Sequence, residues 1–346
     1  MAAIDNPFDK TAFDPSTAIY TPAQSTTYAL GAIKQAKENA QLGGGITVPI
    51  DEIREYVPPV MPGQVMAIIA QTSNYKSGMM HFIEHDAARQ IGYRDDKSTI
   101  IIHVSVEECV EEQIYLALGR ECGDDAGELA RGNVQDWNLL EHAAYRIGQV
   151  PIYRIGDSLA RAEDMPHLYI SNMILAIKAL VGGDILDFKP KVAGIFFDYL
   201  QAFPIDPEWR AAGGDQQRRL QVRSDMYRLR QCAAMFACPV FVAVQAKQHL
   251  DGTRGEMMLP GQYDGEESSS IAQRCDRIIT LWMPKTTNPL QSMLQMPNGK
   301  SFVVRDNQLW IKVAKQRGRL PSGRSWPCVI DYPTNTIALD KNVLML

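Results

Sequence analysis

The stretch from Val65 to Ser77 constrains this chain more than any other. Val65-Met-Ala-Ile-Ile-Ala70 is an unbroken apolar run of strand length, the pattern of a strand covered on both faces. It passes into the polar loop Gln71-Thr-Ser-Asn-Tyr75, then Lys76-Ser77, then a segment from Gly78 with helical apolar spacing. Lys-Ser at the mouth of such a helix is the end of a phosphate-binding loop: loop amides and the helix N-terminus hold the phosphates, Lys76 reaches the outer ones, and Ser77 can hold Mg²⁺. Nucleotide contacts are expected from Ala70, Thr72, Ser73, Asn74, Tyr75, Lys76 and Ser77. Two positions depart from the motif, Ala70 at its start and Tyr75 where Gly precedes the Lys. A side chain held in a conformation suited to Gly costs on the order of 1–3 kcal/mol, which weakens binding roughly 5- to 150-fold if it falls wholly on affinity. Lys-Ser also follows strands that bind nothing, so the segment alone leaves both readings open.

Around it the chain alternates strands and helices. Thr99–Val104, Pro151–Ile155, Val192–Asp198 and Pro239–Gln245 read as strands; Val106–Arg120, Val134–Gly148, residues 168–182 and the basic stretch Gln216–Ala234 read as helices. Residues 246–270 form a polar, Gly-containing loop, and strands follow near 277–283, 301–304, 308–315, 327–331 and 336–339. This order predicts an α/β fold with a mostly parallel central sheet, helices on both faces and antiparallel C-terminal strands. Residues 1–45 are set apart as an N-terminal arm and a linker helix over about 26–42, closed by Gly43-Gly-Gly45; residues 46–346 form the main domain. The helix docks either on its own domain or on a neighbouring subunit.

With 346 residues and 45% hydrophobic content the chain can bury a full core. A net charge of -5 gives no global pull toward nucleic acid, although a ring can line its channel with cations inside an acidic exterior. The six cysteines form no C-x-x-C pair, which fits packed, reduced thiols in the cytosol. No apolar run is long enough to span a membrane.

In such a sheet ligands sit at the carboxyl ends of the strands. Lys76-Ser77, Glu107 just beyond the second strand and Asp198 at the end of a third fall there in the order a nucleotidase needs. Asp198 would organise Mg²⁺ and Glu107 would polarise the attacking water. The plainer readings are a strand-end cap for Asp198 and a first-turn helix carboxylate for Glu107. His81-Phe-Ile-Glu-His85 also spells the inverted zinc-peptidase pattern H-x-x-E-H; so short a motif arises easily by chance, and the other histidines show no pattern.

These pieces together resemble the RecA-like ATPase domain of DnaB-type replicative hexameric helicases. Ser105-Val-Glu-Glu108 resembles that family's Ser-Leu-Glu-Met, Phe197-Asp-Tyr-Leu-Gln201 its Asp-Tyr-Leu-Gln, Ala243-Val-Gln245 its Leu-Ser-Gln, and Val313-Ala-Lys-Gln-Arg317 its Val-Ala-Lys-Gln-Arg. Ser268-Ser-Ser-Ile-Ala-Gln-Arg-Cys-Asp276 is similar to its Ser-Gly-Ser-Ile-Glu-Gln-Asp-Ala-Asp, and the likeness runs from about residue 45 to 340. The resemblance implies ATP and Mg²⁺ as cofactors, Glu107 and Lys76 as catalytic groups, Gln245 at the γ-phosphate, Ser77 and Asp198 at the metal, and Lys315 with the arginine finger Arg317 acting on a neighbour's nucleotide. It implies a homo-oligomer, a hexameric ring or an open helix, that translocates on single-stranded DNA and unwinds duplex during replication. A loader or primase is a possible partner, although the family's N-terminal collar domain is missing from this sequence. DNA contacts would come from Lys247, Arg254, Glu267, Ser268 and Ser269. There Glu266-Glu-Ser-Ser269 replaces the family's Arg-Glu-Ser-Gly, putting an acid where a phosphate would sit. The alternative function is an oligomeric RecA-fold scaffold with a weakened nucleotide site at Tyr75 and no unwinding.

Overall fold

The computed structural model describes residues 21–41, 45–92, 98–158, 168–206, 214–247, 257–266, 269–296, 299–318 and 320–344. The chain divides into two units, Met1–Gly45 and Ile46–Leu346. In the first, α1 (Pro22–Gln41) begins earlier than its apolar spacing suggests. The Thr21 hydroxyl accepts from the Gln24 amide while the Gln24 carboxamide accepts from the Thr21 amide, a reciprocal cap that starts the helix at Pro22.

The second unit runs α2 (Asp51–Tyr56), β1 (Val65–Ala70), α3 (Lys76–Gly92), β2 (Thr99–Ser105), α4 (Val110–Cys122), α5 (Ala126–Ala130), α6 (Trp137–Gly148), β3 (Ile152–Ile155), α7 (Ile170–Gly182), β4 (Lys191–Asp198), α8 (Gly214–Met235), β5 (Val240–Gln245), α9 (Ser270–Arg274), β6 (Arg277–Trp282), β7 (Met293–Gln295), β8 (Ser301–Val303), β9 (Gln308–Gln316), β10 (Ser325–Asp331), β11 (Thr336–Leu339) and α10 (Lys341–Leu344). Nine strands make one sheet in the order β11-β10-β9-β6-β1-β5-β4-β2-β3. From β3 to β6 neighbours are parallel, and from β6 to β11 antiparallel. The mostly parallel sheet with an antiparallel C-terminal edge therefore stands as expected. Strand β1 is fully buried along its length, which its uninterrupted apolar sequence requires of a central strand.

One boundary shift matters for function. Helix α4 starts at Val110, four residues later than its spacing predicts, because the Cys109 amide donates to Glu112 and closes a capping box there. Glu107 consequently lies in the turn after β2 and is not a first-turn helix carboxylate. The short elements α5, β7 and α10 lacked enough periodicity to be foreseen. All six cysteines are free, four of them buried. Among the described residues no helix is long and apolar enough to cross a membrane.

Candidate nucleotide site

Register brings four strand ends into one row. Ala70 ends β1 opposite Gln245, which ends β5, while Asp198 ends β4 opposite Ser105 at the end of β2. The loop after β1 turns back over this row with Ser73 at φ 61° and Tyr75 at φ 66°. Left-handed backbone favours Gly, so Tyr75 has taken the Gly conformation together with the Gly position. Its ring is turned out of the loop. The hydroxyl donates to Asn335, the ring meets Tyr332 edge-on at 6.1 Å, and Gly78 lies beneath it, where an added Cβ would come within 2.6 Å of ring carbons. Asn335 also donates to the Gly78 carbonyl. The turn between β10 and β11 thus clamps a conformation that would otherwise be strained. Asn74 is likewise tied outward, its side chain accepting from the Met283 amide at 2.6 Å. Of Asn74 and Tyr75, only the backbone is left to face a nucleotide.

Lys76 is buried and donates to Gln245 Oε1 at 2.9 Å and to the Gln71 carbonyl at 3.4 Å, with its ammonium 5.3 Å from the centre of the Tyr199 ring. Burial pushes its pKa down, and Asp198 and Glu107 oppose that shift. Gln245 Nε2 donates in turn to the Thr72 hydroxyl at 2.9 Å, and its amide donates to Gln201. Asp198 is 1% exposed, and neither of its carboxylate oxygens has a hydrogen-bond partner. Burial raises its pKa; the Ser77 hydroxyl facing it works the other way without reaching hydrogen-bond geometry. A buried carboxylate with both oxygens free beside a hydroxyl is a donor set that suits a hard divalent cation. Glu107, exposed on its turn, also has a raised pKa, from partial burial first and then from Asp198.

The fold has solved counterparts. The chain superposes on the isolated ATPase domain of one DnaB-like replicative helicase with a TM-score of 0.64 at 18% identity, over 90% of this chain and 98% of that one. On a second DnaB-like replicative helicase, described with its interactions with primase, the TM-score is 0.63 at 18% identity, over 90% of this chain and 66% of that one. The fold is that of DnaB-like helicase ATPase domains. No family model and no curated protein matches the sequence.

Lys315 and Arg317 are not brought to this row. Lys315 donates to the Ala272 and Cys275 carbonyls; Arg317 pairs with Asp276 at 2.9 Å and donates to the Gln273 carbonyl. The Asp276 amide donates to the Val65 carbonyl, so both cations lie level with the start of β1, about 17 Å of strand away from Ala70. Lys247 and Ser269 lie at the described ends of the polar loop, while Arg254, Glu267 and Ser268 fall outside the described residues.

The zinc pattern dissolves and another grouping replaces it. His81 and Glu84 meet at 3.0 Å, but His85 does not join them, and its Nε2 has no partner. His103 of β2 takes that place, within 2.5 Å of Glu84 and stacked on His81 at 4.9 Å. A polar residue inside the apolar run of β2 was the signal for it, so the expectation that the other histidines lack a pattern is corrected. The remaining nitrogen of His81 meets Glu108 at 3.3 Å. The three ligand atoms of His81, Glu84 and His103 lie within 4.8 Å of one another, but the contacts at Glu84 have hydrogen-bond lengths and Arg154 approaches it at 4.0 Å. This is a clasped carboxylate that ties α3 to the turn carrying Glu107 and Glu108. Gln201, which carried no expectation beyond its place in Asp-Tyr-Leu-Gln, fixes the Gln245 backbone from the turn after β4.

Proposed function

We propose that this chain is the ATP-hydrolysing motor of a ring-forming translocase on single-stranded DNA, working in replication. The observation that carries the reading is Asp198: a buried carboxylate with both oxygens free, facing Ser77, next to a phosphate-loop Lys that Gln245 holds in place. Loop amides and the N-terminus of α3 take the phosphates, and Lys76 exchanges its bond to Gln245 for the outer ones. Asp198 and Ser77 would hold Mg²⁺, which when bound neutralises charge developing on the phosphates. Glu107 accepts a proton from the attacking water, a task that its raised pKa suits. Gln245, bridging Lys76 and Thr72, is placed to report whether the outer phosphate is present.

Lys315 and Arg317, too far along the sheet to serve their own chain, act on a neighbour's nucleotide, which makes the active form a homo-oligomer. In that assembly α1 docks on the adjacent subunit, and a loader or primase engages the ring. The outward rotation of the Tyr75 ring supports a working site over a purely structural one, because the cradle keeps its backbone and loses no space to the side chain. The test is ATP turnover with and without oligo-dT. Stimulated turnover that drops at least ~100-fold in Glu107→Ala is expected, the scale of losing a general base; equal rates in the two proteins would remove the mechanism.

A further inference from the structure

The polar loop brings little cationic charge to a nucleic acid, since Glu266 and Glu267 stand directly before its serines. A cationic surface lies beside it. On α8, Arg219, Arg223 and Tyr227 are exposed and recur every fourth residue, one stripe whose members rise about 6 Å apart along the helix. The other arginines of α8 are engaged: Arg218 with the Gln201 and Phe203 carbonyls, Arg228 with Asp206 and Asp225, Arg230 with Asp276. Arg219 and Arg223 have no hydrogen bond or ion pair among the described residues. They line a groove of about 700 Å³ with Lys247, Ser269, Ser270 and Gln273. Beyond them the Arg274 guanidinium stands 5.0 Å from the centre of the Tyr227 ring, and that ring and Tyr263 are both largely exposed. Unpaired guanidinium forks match phosphate oxygens, and exposed aromatic and guanidinium planes accept unstacked bases. An acidic peptide would use the charge but not the flat faces.

We propose that the α8 stripe and its groove form the single-stranded DNA contact of this chain, with Arg219, Arg223 and Lys247 on phosphates and Tyr227 with Arg274 against bases. The proposal rests on the translocase reading and places the polyanion on the helix, away from the acidic pair of the loop.

The experiment measures anisotropy of labelled oligo-dT bound to the full chain across a salt series, beside DNA-independent ATP turnover. Each phosphate contact to a single strand contributes about 0.7 to the salt slope, so Arg219→Ser with Arg223→Ser should lower the slope by about 1.4 and affinity at least ~tenfold. Tyr227→Leu should weaken binding about fivefold or more with the slope unchanged. Basal turnover and melting temperature should match wild type in both, and Arg223→Lys should restore part of the slope. Wild-type affinity and slope in the double variant would overturn the inference while leaving the motor reading intact. Absent turnover in wild type would instead remove the motor reading. Displacement of oligo-dT by polyglutamate at equal charge concentration would reassign the groove to an acidic protein partner and overturn the proposal.

Discussion

Asp198 and Glu84 are both carboxylates with almost no exposure, yet their surroundings are opposite. Glu84, inside α3, is gripped by two stacked imidazoles, with a guanidinium at 4.0 Å; its pKa lies well below the ordinary value because His103 and His81 outweigh the burial that would raise it. Asp198, at the end of β4, has two free oxygens and a pKa raised by burial. A buried charge satisfied from within holds elements together. One left unsatisfied weakens the empty fold and is kept where a ligand completes it.

The largest effect expected from breaking this contrast is on turnover. Asp198→Asn should lower ATP hydrolysis by about 10²-fold or more, comparable to losing a preorganised charge-stabilising group, while urea denaturation shows equal or greater stability. Glu84→Gln should do the reverse. It leaves two imidazoles around an uncharged amide and should cost about 3–5 kcal/mol of stability, the range for removing one partner of a buried pair, with turnover per folded molecule falling only modestly.

Tyr75 and Gly78 give a smaller effect with a diagnostic sign. Gly78→Ala drives a methyl into the Tyr75 ring and should destabilise by about 1–3 kcal/mol. In a Tyr75→Gly background the same change should be nearly neutral, which a double-mutant cycle on denaturation midpoints reads directly. Tyr75→Gly alone should change ATP affinity less than about tenfold, since the ring points to Tyr332 and Asn335 and only backbone strain is relieved.

The smallest effect is in pH dependence. His85 has its pKa depressed to about 4, by burial first and then by Arg120. A base depressed in the fold binds its proton more readily when unfolded, so stability should fall as pH drops from about 6.5 toward 4. His81 runs the other way: burial would lower its pKa, but Glu84 and Glu108 raise it to about 10. Its contribution is complete below about 6.5 and is lost as pH rises toward 10. His85→Phe should remove the acid limb alone in a melting-temperature series.

The strands and their sheet class were legible because a central parallel strand must be apolar throughout, as in β1, β4 and β5. Lys76, Ser77, Asp198 and Gln245 were legible as residues following those runs. The turn at Glu107 was not, because a capping box centred on Cys109 carries no familiar cap residue. Nor was the outward Tyr75, whose hydroxyl partner lies 260 positions away, or the Glu84 clasp, which joins a helix to a strand across the sheet face. Family likeness puts DNA contacts on the loop; the unpaired arginines of α8 are visible only when their neighbours' pairings are known.

Asp198, in this account, is held ready for a nucleotide-bound cation. Electron paramagnetic resonance of Mn²⁺ with a non-hydrolysable ATP analogue tests that most directly. One ion bound per chain, dependent on the analogue and lost in Asp198→Asn, is the predicted result. Equal Mn²⁺ binding by the wild type and Asp198→Asn, or none with the analogue present, would contradict it.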